Sequence, residues 1–237
     1  VIARTCLRLA AVYSLRGRTI AGDRVLDSSL AGLPPLEGGE AVPFVVIYTE
    51  GADLEDAGGT LRAGGHVDLV FEAVCPAPAP GLGASDAALE LSADVLERQI
   101  RVALEDHSSP WARRFSVLAH PVRVTSLRGA SQASDDGIAF VARQVTVRAE
   151  LLAEPRGAEP WFTDFVAALR EEEGAEGVSY ADAITLAVEG NPAWSDIIST
   201  FSPVAHAGIG GPQGDALGLG EGPEMDGEPI ITTEPAP

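Results

Sequence analysis

"HVDLVFEAVC", His66–Cys75, is the stretch that decides the fold. Val67, Leu69, Phe71, Ala73 and Cys75 occupy alternate positions, and Asp68, Val70, Glu72 and Val74 fill the places between them. A period of two puts the first set on one face of a strand and the second on the other, so the pattern predicts a half-buried strand. Upstream, "PFVVIYTEG" (Pro43–Gly51) is a β-branched run bounded by Pro and Gly, and predicts a mostly buried strand. The Gly- and Asp-rich residues 52–65 between them read as a hairpin tip, which makes the pair antiparallel. Downstream, Val122–Leu127 and "FVARQVTVRAELLAE" (Phe140–Glu154) predict two more strands, joined through the loop Arg128–Gly137. On the last strand Val141, Arg143, Val145, Val147, Ala149 and Leu151 share one side. Ala142, Gln144, Thr146, Arg148, Glu150 and Leu152 form a polar opposite side.

Helical spacing surrounds these strands. In residues 2–16 Ile2, Cys6, Leu9 and Tyr13 fall on one face, and Gly17 marks the stop. Ser85–Asp106 is the longest helical run, with Ala88, Leu91, Val95, Leu96, Ile100, Ala103 and Leu104 as its apolar stripe. Pro110–Leu118 predicts a short helix. The order helix, two strands, two helices, two strands gives an α+β fold, an antiparallel sheet packed against helices, over residues 1–155.

Residues 156–201 predict a short helical extension. Pro160 opens one helix, Ser179 caps a second, and Asn191-Pro192 opens a third. Residues 202–237 are Gly, Pro and acid with few apolar anchors, a composition that stays disordered unless a neighbour holds it. The formal net charge is −19, and every one of the 16 basic residues is Arg. Residues 1–150 carry 14 Arg against 19 acids, while residues 151–237 carry 2 Arg against 16 acids. Such a chain does not wrap DNA, because phosphate contacts need a basic surface. It can line a passage through which DNA slides. Cys6 and Cys75 lie in apolar runs and read as buried free thiols. With no apolar run near the ~20 residues of a membrane span and no secretory leader, the expectation is a soluble product of the cytoplasm with no membrane partner.

Motifs for chemistry are missing from the sequence. The histidines His66, His107, His120 and His206 are scattered, with no HExxH or Cys/His cluster, so neither a metal nor a cofactor is expected. His66 and Asp68 share a strand face and read as a solvated strand end. "GIGGPQG" (Gly208–Gly214) lacks the Gly-Lys-Ser/Thr ending of a phosphate loop, and "REEEGAE" (Arg170–Glu176) reads as a solvated helix end. The expectation is a structural protein, not an enzyme.

"RTCLRLAAVYSLRGRTIAGDRVLDSSL" (residues 4–30), the strand Phe44–Glu50 and "VRVTSLRGASQASDDGIAFVARQVTVRAELLAEP" (Val122–Pro155) carry a resemblance. In order and spacing they resemble the tail terminator, or tail completion, proteins of long-tailed bacteriophages (siphophages) and gene transfer agents. The resemblance spans residues 2–155 and leaves the remainder of the chain outside it. It implies a virion protein of the neck, assembled in the host cytoplasm. There it forms a hexameric ring at the head-proximal end of the tail tube, stops tube growth, and meets the tail tube protein on one side and the head–tail connector on the other. DNA passes through the lumen without specific binding. On this reading Arg18, Asp23, Arg24 and Asp27 are subunit-interface charges. The loops carrying Asp53, Glu55 and Asp56, and Arg128, Asp135 and Asp136, face the tube or connector. Trp161, Phe162, Phe165, Trp194 and Phe201 anchor the extension, which lies outside the ring against a neighbour. Two other readings compete: a head-completion or stopper ring of the same neck, and a monomeric adaptor with a disordered acidic tail.

Overall fold

The stretch His66–Cys75 lies within the middle strand of a five-stranded sheet. The computed structural model describes residues 2–28, 42–54, 64–77, 86–128, 140–157, 159–172, 175–190 and 192–207. In chain order the elements are α1 (Ile2–Leu15), β1 (Val25–Asp27), β2 (Phe44–Leu54), β3 (Gly65–Pro76), α2 (Asp86–Glu105), α3 (Pro110–Leu118), β4 (Ala119–Arg128), β5 (Phe140–Leu151), α4 (Pro160–Glu171), α5 (Ala175–Glu189) and α6 (Trp194–Ala207). The strands lie in the order β1-β2-β3-β5-β4. This is the expected α+β class, with one correction. β1 runs parallel to β2, Val25 opposite Val45, so the sheet is mixed rather than antiparallel. Arg16–Leu30 looks too charged for a core strand, yet Val25 inside it is fully buried. Three residues, the last of them Asp27, are too short for any periodicity to show.

The alternation in β3 maps onto the fold as expected. Val67, Leu69, Phe71, Ala73 and Cys75 enter the main core. They lie opposite Ala149, Val147, Val145, Arg143 and Val141 of β5. Arg143 is the one charge on that β5 face, and Glu90 (2.6 Å) and Asp94 (2.9 Å) of α2 neutralise it. Phe44, Val46 and Val74, with Leu26, Tyr48, Phe140 and Ala142 against them, form a second cluster made of strand residues only.

α1 departs from its single predicted face. Ala3, Leu7, Ala10, Ala11, Val12 and Leu15 are buried along with Cys6 and Leu9, so apolar contacts surround most of the helix. α3 packs along it most, α2, β1 and β2 cover further sides, and the segment predicted to be an extension adds to them. α5 packs on α1, α4 packs on α3, and Phe162, Phe165, Leu169, Ala181 and Ile184 belong to the same core as β3. Residues 156–189 therefore close the core of residues 1–155. Within residues 1–155, Glu154 beyond β5 reaches back to the start of α1, where its carboxylate accepts from the first amides, Ile2 (2.7 Å) and Ala3 (3.2 Å). An acid there satisfies otherwise orphaned N–H groups at the positive end of the helix dipole.

Further corrections concern helix ends and faces. α5 begins at Ala175, so Ser179 is an interior, buried residue and not a cap. Gly177 makes the earlier start possible: a Cβ there would sit 2.3 Å from the Leu169 carbonyl oxygen of α4. α6 begins at Trp194 and continues to Ala207, past the expected boundary at residue 201. Its first turn is closed by Asp196, which accepts from the Ala193 amide (2.8 Å). On α2, Leu91 and Val95 do not join the buried stripe. With Val102 they are exposed, opposite Leu96 and Ile100.

Candidate functional site

β4 is where the fold leaves the most unfinished surface. It is the ten-residue edge strand of the sheet and, among the described residues, pairs only with β5. Eight of its ten residues are exposed, all but Ala119 and Thr125; Val122 is 57% exposed and Leu127 62%. An edge strand displays unpaired backbone donors and acceptors along its free side, and apolar side chains there favour pairing with another chain.

The local sequence builds this edge. Ser109 caps α3 with its hydroxyl accepting from the Ala112 amide, and Pro110 sits in the first turn. α3 runs into β4 without a loop; the Ala119 amide donates to the Phe115 carbonyl. Pro121 follows, and the register with β5 shifts by one residue between Pro121 and Arg123. A proline and a bulge are tolerated at the edge of a sheet, where the ladder need not continue into a further strand. Beyond the bulge, Val124, Ser126 and Arg128 face α2. The Ser126 hydroxyl donates to Glu97 (2.7 Å) and Arg128 pairs with Glu90. Between α2, α3 and β4 lies a groove of about 260 Å³ floored by Ile100, Leu104, Phe115, Val124, Val145 and Val147. A second groove of about 400 Å³ lies across α3, between it and α4, beside the Arg114–Asp164 pair (2.8 Å).

The predicted interface charges divide. Asp27 is not a surface charge. Its side chain is 5% exposed, pairs with Arg8 of α1, and accepts from the Tyr180 hydroxyl of α5 (2.7 Å). Burial first, then the Asp27 charge, pushes the Tyr180 phenol far above its ordinary range. Arg18 pairs with Asp106, which also accepts from the amide (3.0 Å) and hydroxyl (2.6 Å) of Ser108. These Ser108 bonds come first in holding Asp106 below the ordinary carboxylate range. Asp23 and Arg24 are exposed. Two of the four charges thus hold their own chain together. Sequence alone shows a charged turn; it does not show that α1, α2 and α5 supply the partners.

On the sheet face remote from the helices, Asp53 pairs with Arg148 (2.7 Å), and β3 sets His66 opposite Glu150 and Asp68 opposite Arg148. Glu55, Asp56, Asp135 and Asp136 lie outside the described residues. The anchors Phe162 and Phe165 do anchor their segment, but in this chain's own core and not on a neighbour. Trp111 links Phe165 to α1, stacked on Tyr13 (4.8 Å) and edge-on to Phe165 (5.4 Å). Trp161 packs against the same core, and Phe201 meets Tyr180 edge-on (5.1 Å). The Trp194 side chain lies outside the described residues. The acidic run Arg170–Glu176 is not simply solvated: Glu172 accepts from the Trp111 indole, and Glu176 pairs with Arg16 (2.8 Å).

Cys6 and Cys75 are buried free thiols. Burial pushes Cys75 up to about 11 and Cys6 higher still. Thiolates at these positions are suppressed, so neither is placed for nucleophilic chemistry. Among the described residues no group of three or more His, Cys, Asp or Glu converges to hold a metal ion, and no helix is long and apolar enough to cross a membrane. Compared with protein-family models and with curated proteins, the chain matches none.

Proposed function

We propose that this chain is the tail terminator of a long-tailed bacteriophage or gene transfer agent. It builds a ring, hexameric by the family resemblance, at the head-proximal end of the tail tube, where it stops tube growth and joins the tail to the head connector. The observation that carries the reading is the β4 edge: ten residues, without a partner strand on one side among the described residues, with Val122 and Leu127 in the open. A closed ring is a head-to-tail assembly, and each copy must offer two unlike, complementary surfaces. β4 supplies one, at one end of the sheet. The other end is β1, flanked by α5. The resemblance over residues 2–155, carried by residues 4–30, Phe44–Glu50 and Val122–Pro155, supports the same reading. The net charge of −19 suits a wall past which DNA slides.

Electron microscopy of particles assembled without this chain is the test. Over-long or variable tails lying apart from filled heads are the expected result. Tails of normal length beside leaking heads would replace the terminator with a head-side stopper ring. Joined, intact particles, together with a purified chain that sediments as a monomer, would favour an adaptor protein instead.

A further inference from the structure

We infer that α2 is a dimerisation helix, which pairs antiparallel with α2 of a second copy of this chain through the face turned away from the core. The inference does not rest on the ring reading. A two-fold seam joins copies in pairs, whereas a ring closes through two unlike surfaces. The spacing of α2 builds such a seam. Leu91, Val95, Arg98 and Val102 recur at intervals of four, three and four residues, the repeat of a two-helix interface. At about 3.6 residues per turn they lie nearly opposite the buried Leu89, Ala93, Leu96, Ile100 and Ala103. Leu91, Val95 and Val102 are all exposed, so this chain's own core leaves the stripe uncovered. On one flank the turn after α1 widens the surface. The Ile20 amide donates to Gln99 (2.8 Å), and the Ile20 side chain is itself exposed.

Charge selects the second copy and the direction. Asp86, Glu90, Asp94 and Glu97 make the first part of α2 wholly acidic. Arg98 and Arg101 follow, against Glu105 alone. Parallel pairing would set acids on acids. Antiparallel pairing sets Leu91 against Val102 of the second copy and Val95 against Arg98. It brings Asp94 beside Arg98 and Arg101 of the second copy, and the two-fold makes each contact twice. These groups have capacity for it. Asp94 meets Arg143 through one oxygen with its side chain 60% exposed, and Arg101 meets Glu97 with its side chain 47% exposed. Arg98 is exposed and forms no ion pair among the described residues. Asp94, Glu97, Arg98 and Arg101 line an open hollow of about 340 Å³ beside the stripe, which gives the incoming side chains room. Glu105 takes the next seam position and ends the apolar stripe after about 16 Å.

The test mixes full chain carrying Leu91→Cys with full chain carrying Val102→Cys under gentle oxidation; Cys6 and Cys75 are buried and take no part. A disulfide-linked heterodimer is expected, because those two positions face each other. Each variant alone should stay unlinked, since the antiparallel seam holds like positions about 16 Å apart, beyond the reach of a disulfide. Self-linking of either variant alone, or no link in the mixture, overturns the seam. Arg98→Glu gives a reading that needs no thiols. With circular dichroism unchanged, sedimentation should show pairing weakened at least about tenfold, and added salt should weaken pairing of the parent chain. Pairing that Arg98→Glu leaves unchanged, or a parent chain that stays monomeric, overturns the inference. Rings that form without the Leu91–Val102 link remove the seam and leave the ring reading standing.

Discussion

Asp27 shows how one side chain can join distant parts of a chain. It stands 5% exposed between the Arg8 guanidinium and the Tyr180 hydroxyl, so α1, β1 and α5 meet at a single carboxylate. Replacing one partner of a buried pair leaves the other charge desolvated. Asp27→Asn should therefore lower unfolding stability by about 3 kcal/mol, the low end for such sites because Arg8 keeps some contact with water. A shifted urea midpoint at unchanged slope checks this. The tyrosines give a pH prediction. Burial is the first cause in all three: it raises Tyr13 and Tyr48 from 10.0 to about 12, and Tyr180 further. A group whose folded pKa is raised contributes stability that is complete below its unfolded pKa and is lost as pH rises through the folded value. Stability should hold up to about pH 10 and fall from there, with phenolate absorbance appearing near pH 12 or together with unfolding. Full ionisation near pH 10 in the folded protein would contradict the buried placement of Tyr13 and Tyr180.

At the scale of elements, α2 carries two apolar surfaces on one helix. Leu96 and Ile100 lie in the core, while Leu91, at 64% exposure, and Val102 face away from it. Leu96→Ala should cost about 2–5 kcal/mol through the lost burial and the cavity left behind. Leu91→Ala should stay within about 0.5 kcal/mol in the isolated chain. Thermal melts of the two variants test the assignment, and a large loss from Leu91→Ala would mean that its face is covered. Helical spacing in the sequence cannot separate these surfaces, because both obey the same 3.6-residue period. β3 is the contrasting case. Its period of two assigns Val67 through Cys75 to the core face unaided, since only one face of a central strand can meet the helices.

For the whole molecule the question is where the folding unit ends. Resemblance and composition both divide the chain near residue 155. Yet Phe162, Phe165 and Leu169 lie in the main core, and α5 packs on α1. Residues 1–155 alone should lack a cooperative thermal transition, whereas residues 1–207 should melt like the full chain. Circular dichroism on both decides it. A cooperative melt for residues 1–155 would restore the boundary.

The sequence by itself determined what repeats along the chain: the alternation of β3 and β5, the helical periods of α1 and α2, the Pro110 and Pro160 helix starts, and the acidic imbalance of residues 151–237. These are local signals, set by backbone geometry and carried by several residues each. Only the tertiary structure decided what depends on a partner far along the chain. It placed Val25 as a buried parallel strand and Asp27 as an internal hub. It put Glu154 on the first turn of α1, and it left β4 rather than a charged turn as the exposed edge. In each of these a single residue meets a neighbour more than a dozen positions away, and no periodicity records such a meeting.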